Sequence, residues 1–593
     1  MSEEQLFNLK TVVNNLSHRG PDSDGFFYSE NVSLGMRRLS INDLTTGSQP
    51  LFNEDRTIAL VCNGEIYNFI ELREKLISLG YSFSSKSDVE VVIYLYEEYG
   101  PDCFAQLRGM FAIALYDARR NSVFLVRDRL GEKPLFYSHD HSTLYFSSEF
   151  TQLLHIHSTS PRISPSAFNL YLTFQYLPEP FSFVDNISQL PAAHYLEFNC
   201  ADSTFILQRY WFPEHLSSSE PFSSDYLFDL LKSSCLLMNH ADVPVALALS
   251  GGVDSSLVAA LSADITKDIC AFSVGYQGNP SSDERSKAAY LADYLGIPFL
   301  PIEISDADVE NCFPDLVQAM DLPIADIAAL GYYKVSQASR QNGFPVLLSG
   351  LGGDEVFWGY QWVKDTLTNA TNSSRSKLSR LRSLLTRSKS STPSFFGQHS
   401  FLSSANELSR QIIPAERLSN APSDFWLVHN SIDTSIPPHL GVFDLLSRTW
   451  LRSNCLTLMD RVSMANSVEV RLPLLDNHLV DYMISQRNSG LRDWELPCKS
   501  LLLRSLESVL PNEVLSRKKQ GFTPPVRRWY KLVINKYSNL LFGGSLQRQG
   551  LIDTSIFTPS YFSQLPLDFS YKLLLMEMWS RCHVEKTPIR DFS

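Results

Sequence analysis

Leu247-Ala-Leu-Ser250-Gly251-Gly252-Val253-Asp254-Ser255-Ser256 is the stretch that decides the fold. The apolar run from Val245 to Leu249 has the character of a buried strand, and it breaks into Ser-Gly-Gly. An apolar helix then resumes through Leu257, Val258, Ala259 and Leu261. Two glycines at the break let the backbone come close to a ligand, and the helix start offers N–H groups and a positive dipole end. Ser250, Ser255 and Ser256 add hydroxyl donors, so an anion such as phosphate or pyrophosphate fits there. Asp254 would repel a bare anion and makes better sense as a ligand for Mg2+ travelling with phosphates. The Gly-Lys-Ser/Thr ending of the Walker pattern is absent. An ordinary glycine turn would explain Ser-Gly-Gly alone; with Asp-Ser-Ser attached, the nucleotide reading is favoured.

Outward from that loop, strands and helices alternate. Strand Ile269–Val274, a helix at 281–295, a strand at Phe299–Ile304, a helix from Ala307, a helix at Ala328–Gln341 and strand Val346–Ser349 follow in order. This predicts a doubly wound parallel α/β domain with ligands at the carboxyl ends of its strands. From about residue 400 the chain reads as mostly helical. Residues 365–410 form a Ser-rich basic insert with little capacity for a core, expected as a mobile solvated loop.

The amino-terminal part has a different pattern. A short helix over 10–22 runs into the polar turn His18-Arg19-Gly20-Pro21-Asp22. Short strands follow, one of them Ile58–Cys62, which is expected to end in a tight turn at Asn63-Gly64. Two helices come next, Asp88 being placed as the N-cap of the second, then strands from Met110 to Phe150. This predicts an α+β sandwich over 1–205, a linker at 206–225 and the α/β domain over 226–593. The whole is an α/β multidomain protein.

With 593 residues, more than one domain is required. A net charge of −13 argues against nucleic acid or an anionic membrane as the main partner. Nine cysteines contain no Cys-x-x-Cys pair, which suggests reduced thiols and a cytoplasmic setting. The acidic, polar start does not read as a signal peptide, and no apolar run reaches the ~20 residues of a membrane helix. His139/His141 and His155/His157 lack a third ligand and are read as strand or loop residues rather than metal sites.

Four blocks make the carboxyl-terminal part resemble the glutamine-dependent asparagine synthetase family. They are Ser250–Ser256, Ser349-Gly-Leu-Gly-Gly-Asp354-Glu355 through Tyr360, Asp460-Arg461 through Glu469-Val-Arg471 to Asp476, and Lys499 through Arg504 followed by Arg517–Phe522. His18–Asp22, Arg38-Leu-Ser-Ile, Asn63–Asn68, Asp88, Gly109–Ala112, Arg127–Pro134 and Ser147–Glu149 resemble the same family's glutaminase domain, of the N-terminal-nucleophile type.

The resemblance implies an ATP-pyrophosphatase domain that amidates a carboxylate through an acyl-adenylate, aspartate first, with AMP and pyrophosphate released. It implies that Ser250, Gly251, Gly252 and Ser255 hold pyrophosphate, and that Leu249, Val274, Ser349 and Gly350 border adenosine. Asp254 and Asp354 would bind Mg2+, and Lys499 would stabilise charge on the phosphates. In the glutaminase half, Arg38 would pair with glutamine's α-carboxylate and Glu65 and Asp88 would receive its ammonium group. Asn63 and the Gly64 amide would form the oxyanion hole. Small-molecule substrates (ATP, an acceptor carboxylate, glutamine or ammonia) are the expected partners, and a homodimer is compatible with the chain.

Two departures matter. The family's N-terminal cysteine has no counterpart: position 2 is Ser2, and on the order of ten residues of the first strand are missing before His18. A start placed too far downstream is the preferred explanation; the alternative is a loss that leaves ammonia as donor. Cys62 lies beside the oxyanion residues and is read as a packed strand cysteine. At Leu351 the family's better-known members carry glutamate, so the acceptor could instead be a sugar uronic acid or a peptide or natural-product carboxylate. A catalytically silent binding protein is the reading from another class. The complete loop set argues against it.

Overall fold

The computed structural model describes residues 3–140, 142–154, 161–278, 280, 283–375, 400–418, 436–517 and 524–592. The amino-terminal part begins with helix α1 (Glu3–Asn15), which lies earlier in the chain than the sequence pattern placed it. A six-stranded antiparallel sheet follows, in the order β11 (Thr204–Arg209), β10 (His194–Asn199), β6 (Ser122–Arg127), β5 (Gly109–Asp117), β4 (Ile58–Ile66), β3 (Leu51–Phe52). One face carries α2 (Phe69–Ser78) and α3 (Glu90–Tyr99), packed through Leu72, Leu76 and Val91 onto Leu60, Cys62 and Ile113. The other face carries two small sheets, β1 (Ser23–Tyr28) with β2 (Ser33–Arg38), and β7 (Phe136–Asp140) with β8 (Thr143–Ser147) and β9 (Ser188–Gln189). Period-two alternation divides the strands between the two faces: Val61, Ala112 and Ala114 point away from the helices that Cys62 and Ile113 meet.

The carboxyl-terminal part is built on five parallel strands in the order β14 (Phe299–Ile304), β13 (Ile269–Tyr276), β12 (Val245–Ala248), β15 (Val346–Leu348), β16 (Glu469–Arg471). Each of the first four matches an expected strand. The fifth, β16, arrives from deep inside the helical half, and a three-residue run was too short to signal itself. All three of its residues are buried, and it registers against β15 from Val346↔Glu469 to Leu348↔Arg471.

Several expectations are corrected. Asn63-Gly64 does not turn the chain: Asn63, Gly64 and Glu65 continue β4, opposite Ala112, Phe111 and Met110 of β5. Pairing with β5 holds the run extended, while alternate N–H groups face away from it, those of Cys62 and Ile66 donating to Gln49 and Asp88; the glycine serves close approach instead. Gly64 has φ +138°, and a Cβ there would lie 1.9 Å from the Met110 carbonyl oxygen. Asp88 does not cap its helix; its carboxylate accepts the Ile66 N–H at 2.7 Å, tying the helix start to β4. The expected boundary at 205 falls inside β11, which pairs with β10 to Arg209. The segment after it is not a free linker, because Asn488 donates to the carbonyls of Pro213 and Leu216 at 2.9 and 2.7 Å. Both flanks of the basic insert are helical, Gln361–Arg375 and Ser400–Ile412. The core of the insert, Ser2, His141, His155, His157 and residues 518–522 lie outside the described residues. His139 stands on β7 with its ring edge-on to Phe198 and Phe205. Among the described residues no group of three or more His, Cys, Asp or Glu side chains is arranged to hold a metal.

Candidate active sites in the two halves

In the parallel sheet, chain order reverses direction at β12. The connection to β13 leads one way, while β15 is added on the other side. The loops leaving β12 and β15 therefore diverge and open a crevice, the usual ligand position of a doubly wound sheet. One loop is Ser250-Gly251-Gly252 and runs into helix α6 (Val253–Ile265); the other is Ser349-Gly350-Leu351. Gly251 has φ +77° and presses on Lys287, where a Cβ would lie 2.8 Å from the lysine Cβ. Gly350 lies against the start of α6, where a Cβ would meet the Ser255 nitrogen at 2.5 Å. The two loops thus touch through glycine. Ser255 Oγ lies 3.0 Å from Ser250 Oγ and donates to the Gly252 carbonyl at 3.1 Å, which rigidifies the turn. Leu249 is anchored by donating its N–H to Phe272, in the strand that also carries Val274.

Asp254 in the first turn of α6 and Asp354 after β15 converge, from different strand ends, on one group. That group is the Lys499 ammonium, hydrogen-bonded to Asp254 and 2.5 Å from Asp354. Lys499 is not the surface lysine of a helix. It is largely buried, with φ +58°, at the N-cap of the helix Ser500–Ser505. Burial works against its charge, but Asp254 and Asp354 outweigh this and hold its pKa above the ordinary lysine value. The pair of carboxylates is therefore built to share a cation, a donor set that suits Mg2+ held partly by substrate phosphates.

Three residues at this site were quoted in the sequence blocks but given no role there. Arg517 donates to the Gly251 carbonyl at 2.8 Å and so braces the loop from the far end of the chain. Glu355, 1% exposed beside Asp354, accepts the Tyr360 hydroxyl at 2.9 Å. Burial first, then Asp354, pushes its carboxyl up to about 7. Arg471 of β16 takes up the Ser349 N–H with its carbonyl at 3.0 Å. Leu351, which stands where the resemblance expects glutamate, packs against the apolar core.

The amino-terminal half holds a cavity of about 980 Å³ between the six-stranded sheet and the two small sheets. Arg38, Asn63, Gly64, Glu65 and Asp88, separate in sequence, all line it. Glu65 and Asp88 are buried together; burial raises both carboxyls, Asp88 to about 6, against the Arg471 charge. Arg38 donates to the carbonyls of Asn42 and Asp43 at 2.8 and 2.9 Å, and Asn63 Nδ2 donates to Ser148 at 3.2 Å. The Cys62 side chain belongs to the helix-side core, where burial, helped by Asp88 and Glu65, pushes its thiol far up. It is a structural cysteine.

The Asp460–Asp476 block reaches the nucleotide site through Arg471, whose carbonyl takes the Ser349 N–H. It also builds the interface between the halves: Asp460 holds Arg19 at 2.9 and 3.1 Å, and Asp476 holds Arg108 at 2.7 and 2.9 Å. Charged residues in a helical block gave no sign of which partner they would meet.

Comparison with known proteins now decides the family. A family model described as asparagine synthase matches residues 227–581, and one described as a glutamine amidotransferase domain matches residues 1–211. The chain belongs to the asparagine synthase family. Asparagine synthetase [glutamine-hydrolyzing] 1 of Bacillus subtilis (strain 168) is 32% identical over 559 residues, 90% of this chain and 86% of its own. Asparagine synthetase [glutamine-hydrolyzing] 2 of the same organism is 31% identical over 88% of this chain and 70% of its own. Amidase chyE of Penicillium rubens is 27% identical over 88% and 85%. As a member of the asparagine synthase family this protein is an amide-forming ligase, and ATP is the nucleotide its family uses. Among the described residues no helix is long and apolar enough to cross a membrane.

Proposed function

We propose that this ligase activates a carboxylate with ATP as an acyl-adenylate and amidates it, aspartate to asparagine being the first assignment. The convergence of Asp254, Asp354 and Lys499 beside the Ser250 and Ser349 loops carries the reading. Ser250, Gly251, Gly252 and Ser255 would cradle the pyrophosphate end of ATP at the head of α6, with Leu249, Val274, Ser349 and Gly350 along the adenosine. Asp254 and Asp354 would hold Mg2+, which supplies charge neutralisation at the phosphates. An oxygen of the acceptor carboxylate attacks the α-phosphorus, the bond to the bridging oxygen breaks, and pyrophosphate leaves. Lys499, kept protonated by its carboxylate partners, follows the negative charge that moves onto the leaving group. Ammonia then adds to the acyl carbon, gives up a proton, and AMP departs.

Nitrogen comes from glutamine or directly from ammonia. Arg38, Glu65 and Asp88 supply the charges that a bound amino acid needs, and Asn63 with the Gly64 amide supplies the oxyanion donors. Leu351 supports a second reading of the acceptor, because leucine brings no proton-accepting group to the position; a uronic acid or a peptide carboxylate then replaces aspartate.

The test is pyrophosphate and AMP release from ATP, Mg2+ and ammonium ion, with and without L-aspartate, and then with a panel of carboxylates. Aspartate-dependent release that disappears in Gly350→Ala supports the first assignment. Release with another carboxylate alone replaces aspartate, and release with none refutes the adenylation reading. Substituting L-glutamine for ammonium ion decides the nitrogen source.

A further inference from the structure

Arg471 touches both sites. Its backbone belongs to β16, whose carbonyl accepts the Ser349 N–H at 3.0 Å. Its side chain, with no exposed surface, crosses into the amino-terminal half and reaches Glu65, Nη2 to Oε1, at 3.4 Å. The rest of the guanidinium is held on its own side. Nε donates to Glu469 at 2.9 Å, and Nη1 donates to the carbonyls of Met238 and His240 at 3.0 and 2.7 Å. Those carbonyls lie at the negative end of the helix Ser224–Asn239. Nη2 is buried and makes no hydrogen bond among the described residues, so its tie to Glu65 is a charge attraction without fixed geometry. The same guanidinium is therefore pulled in two directions by two carboxylates.

We propose that Arg471 is a positioning residue that couples occupancy of the Glu65–Asp88 carboxylate pair to nucleotide affinity at the Ser349 loop. A primary ammonium group, such as that of an α-amino acid, bound at Glu65 and Asp88 competes with Arg471 for Glu65. Arg471 then settles on Glu469 and the two helix-end carbonyls, and β16 is held more firmly against β15, the strand that leads into Ser349. Ammonium binding in one half thus tightens ATP binding in the other, and by linkage ATP tightens binding of the amino acid by the same factor. The proposal rests on the nucleotide and amino-acid readings of the two sites given above.

A double-mutant cycle on the full chain tests it, read as the ATP dissociation constant by calorimetry without glutamine. Glu65→Gln removes the competing pull and is expected to tighten ATP about fivefold, near the lower end of couplings between sites. In an Arg471→Lys background, where the shorter side chain cannot span both carboxylates, the same substitution is expected to change nothing. L-glutamine is expected to tighten ATP by a similar factor in the wild type and not in Arg471→Lys. A single cooperative unfolding transition by scanning calorimetry shows that the lysine variant is folded; if it is not, Arg471→Gln repeats the cycle, since it also removes the charge that Glu65 attracts. Equal effects of Glu65→Gln in both backgrounds overturn the coupling. A cycle that couples while glutamine fails to bind sustains the Arg471 link and sinks the glutamine reading. Failure of ATP to bind the wild type sinks the nucleotide reading, and the coupling falls with it.

Discussion

Glu355→Gln isolates one buried charge at the nucleotide site. Glu355 is 1% exposed, stands next to Asp354 and accepts the Tyr360 hydroxyl at 2.9 Å, a bond that a glutamine carbonyl oxygen can also accept. Burial, then Asp354, lifts its carboxyl from the ordinary 4.5 to about 7, against the hydrogen bond from Tyr360 and the Lys499 charge. The folded protein therefore holds this proton more tightly than the unfolded chain does. The resulting stability is fully present below pH 4.5 and is lost as pH rises through 7. A shift of that size is worth about 3 kcal/mol, at roughly 1.4 kcal/mol per pH unit. The variant lacks the ionisable group and lacks that loss. Unfolding followed by scanning calorimetry from pH 5 to 8.5 is expected to show the variant gaining on the wild type by roughly 5 °C across the range, at about 2 °C per kcal/mol for a large domain. The gain stops above pH 8, where Glu355 is fully ionised in both states. Curves that run parallel over the whole range refute a neutral buried Glu355.

Two further outcomes follow from the interface and the thiol. Asp460→Ala takes from Arg19 its bidentate partner and leaves Arg19, Arg461 and Lys133 with Glu149, Asp321 and Glu469 alone, so the urea midpoint is expected to drop by an amount worth about 3 kcal/mol, the lower end for a broken buried pair; a change under about 1 kcal/mol would show that the pair is not buried in solution. Cys62→Ser is expected to leave ammonia-dependent and glutamine-dependent turnover within about twofold, and Cys62 of the folded wild type is expected to resist iodoacetamide. Selective loss of the glutamine-dependent rate would make Cys62 the nucleophile.

The strands of the parallel sheet were legible because each of the first four is an apolar run bounded by turn residues, and burial on both faces writes itself into composition. The Ser250 loop was legible because glycine, serine and aspartate at that spacing have few other uses. Asp254, Asp354 and Lys499 could be named as candidates one by one. That the lysine ammonium sits between the two carboxylates follows only from folding, since 145 positions separate Asp354 from Lys499 and no local pattern records the distance. Asn63-Gly64 carried the local signature of a turn, and the partner strand β5 overrode it, because pairing on one edge holds the backbone extended. Asp88 carried the signature of an N-cap and spent its carboxylate on another strand. β16 was invisible, being three residues long, yet its Arg471 reaches across to Glu65 in the other half. Local chemistry thus determined which residues could act and which runs would be strands. Tertiary structure alone decided their partners, because charge pairing and strand pairing depend on distance in space, which the order of residues along the chain does not fix.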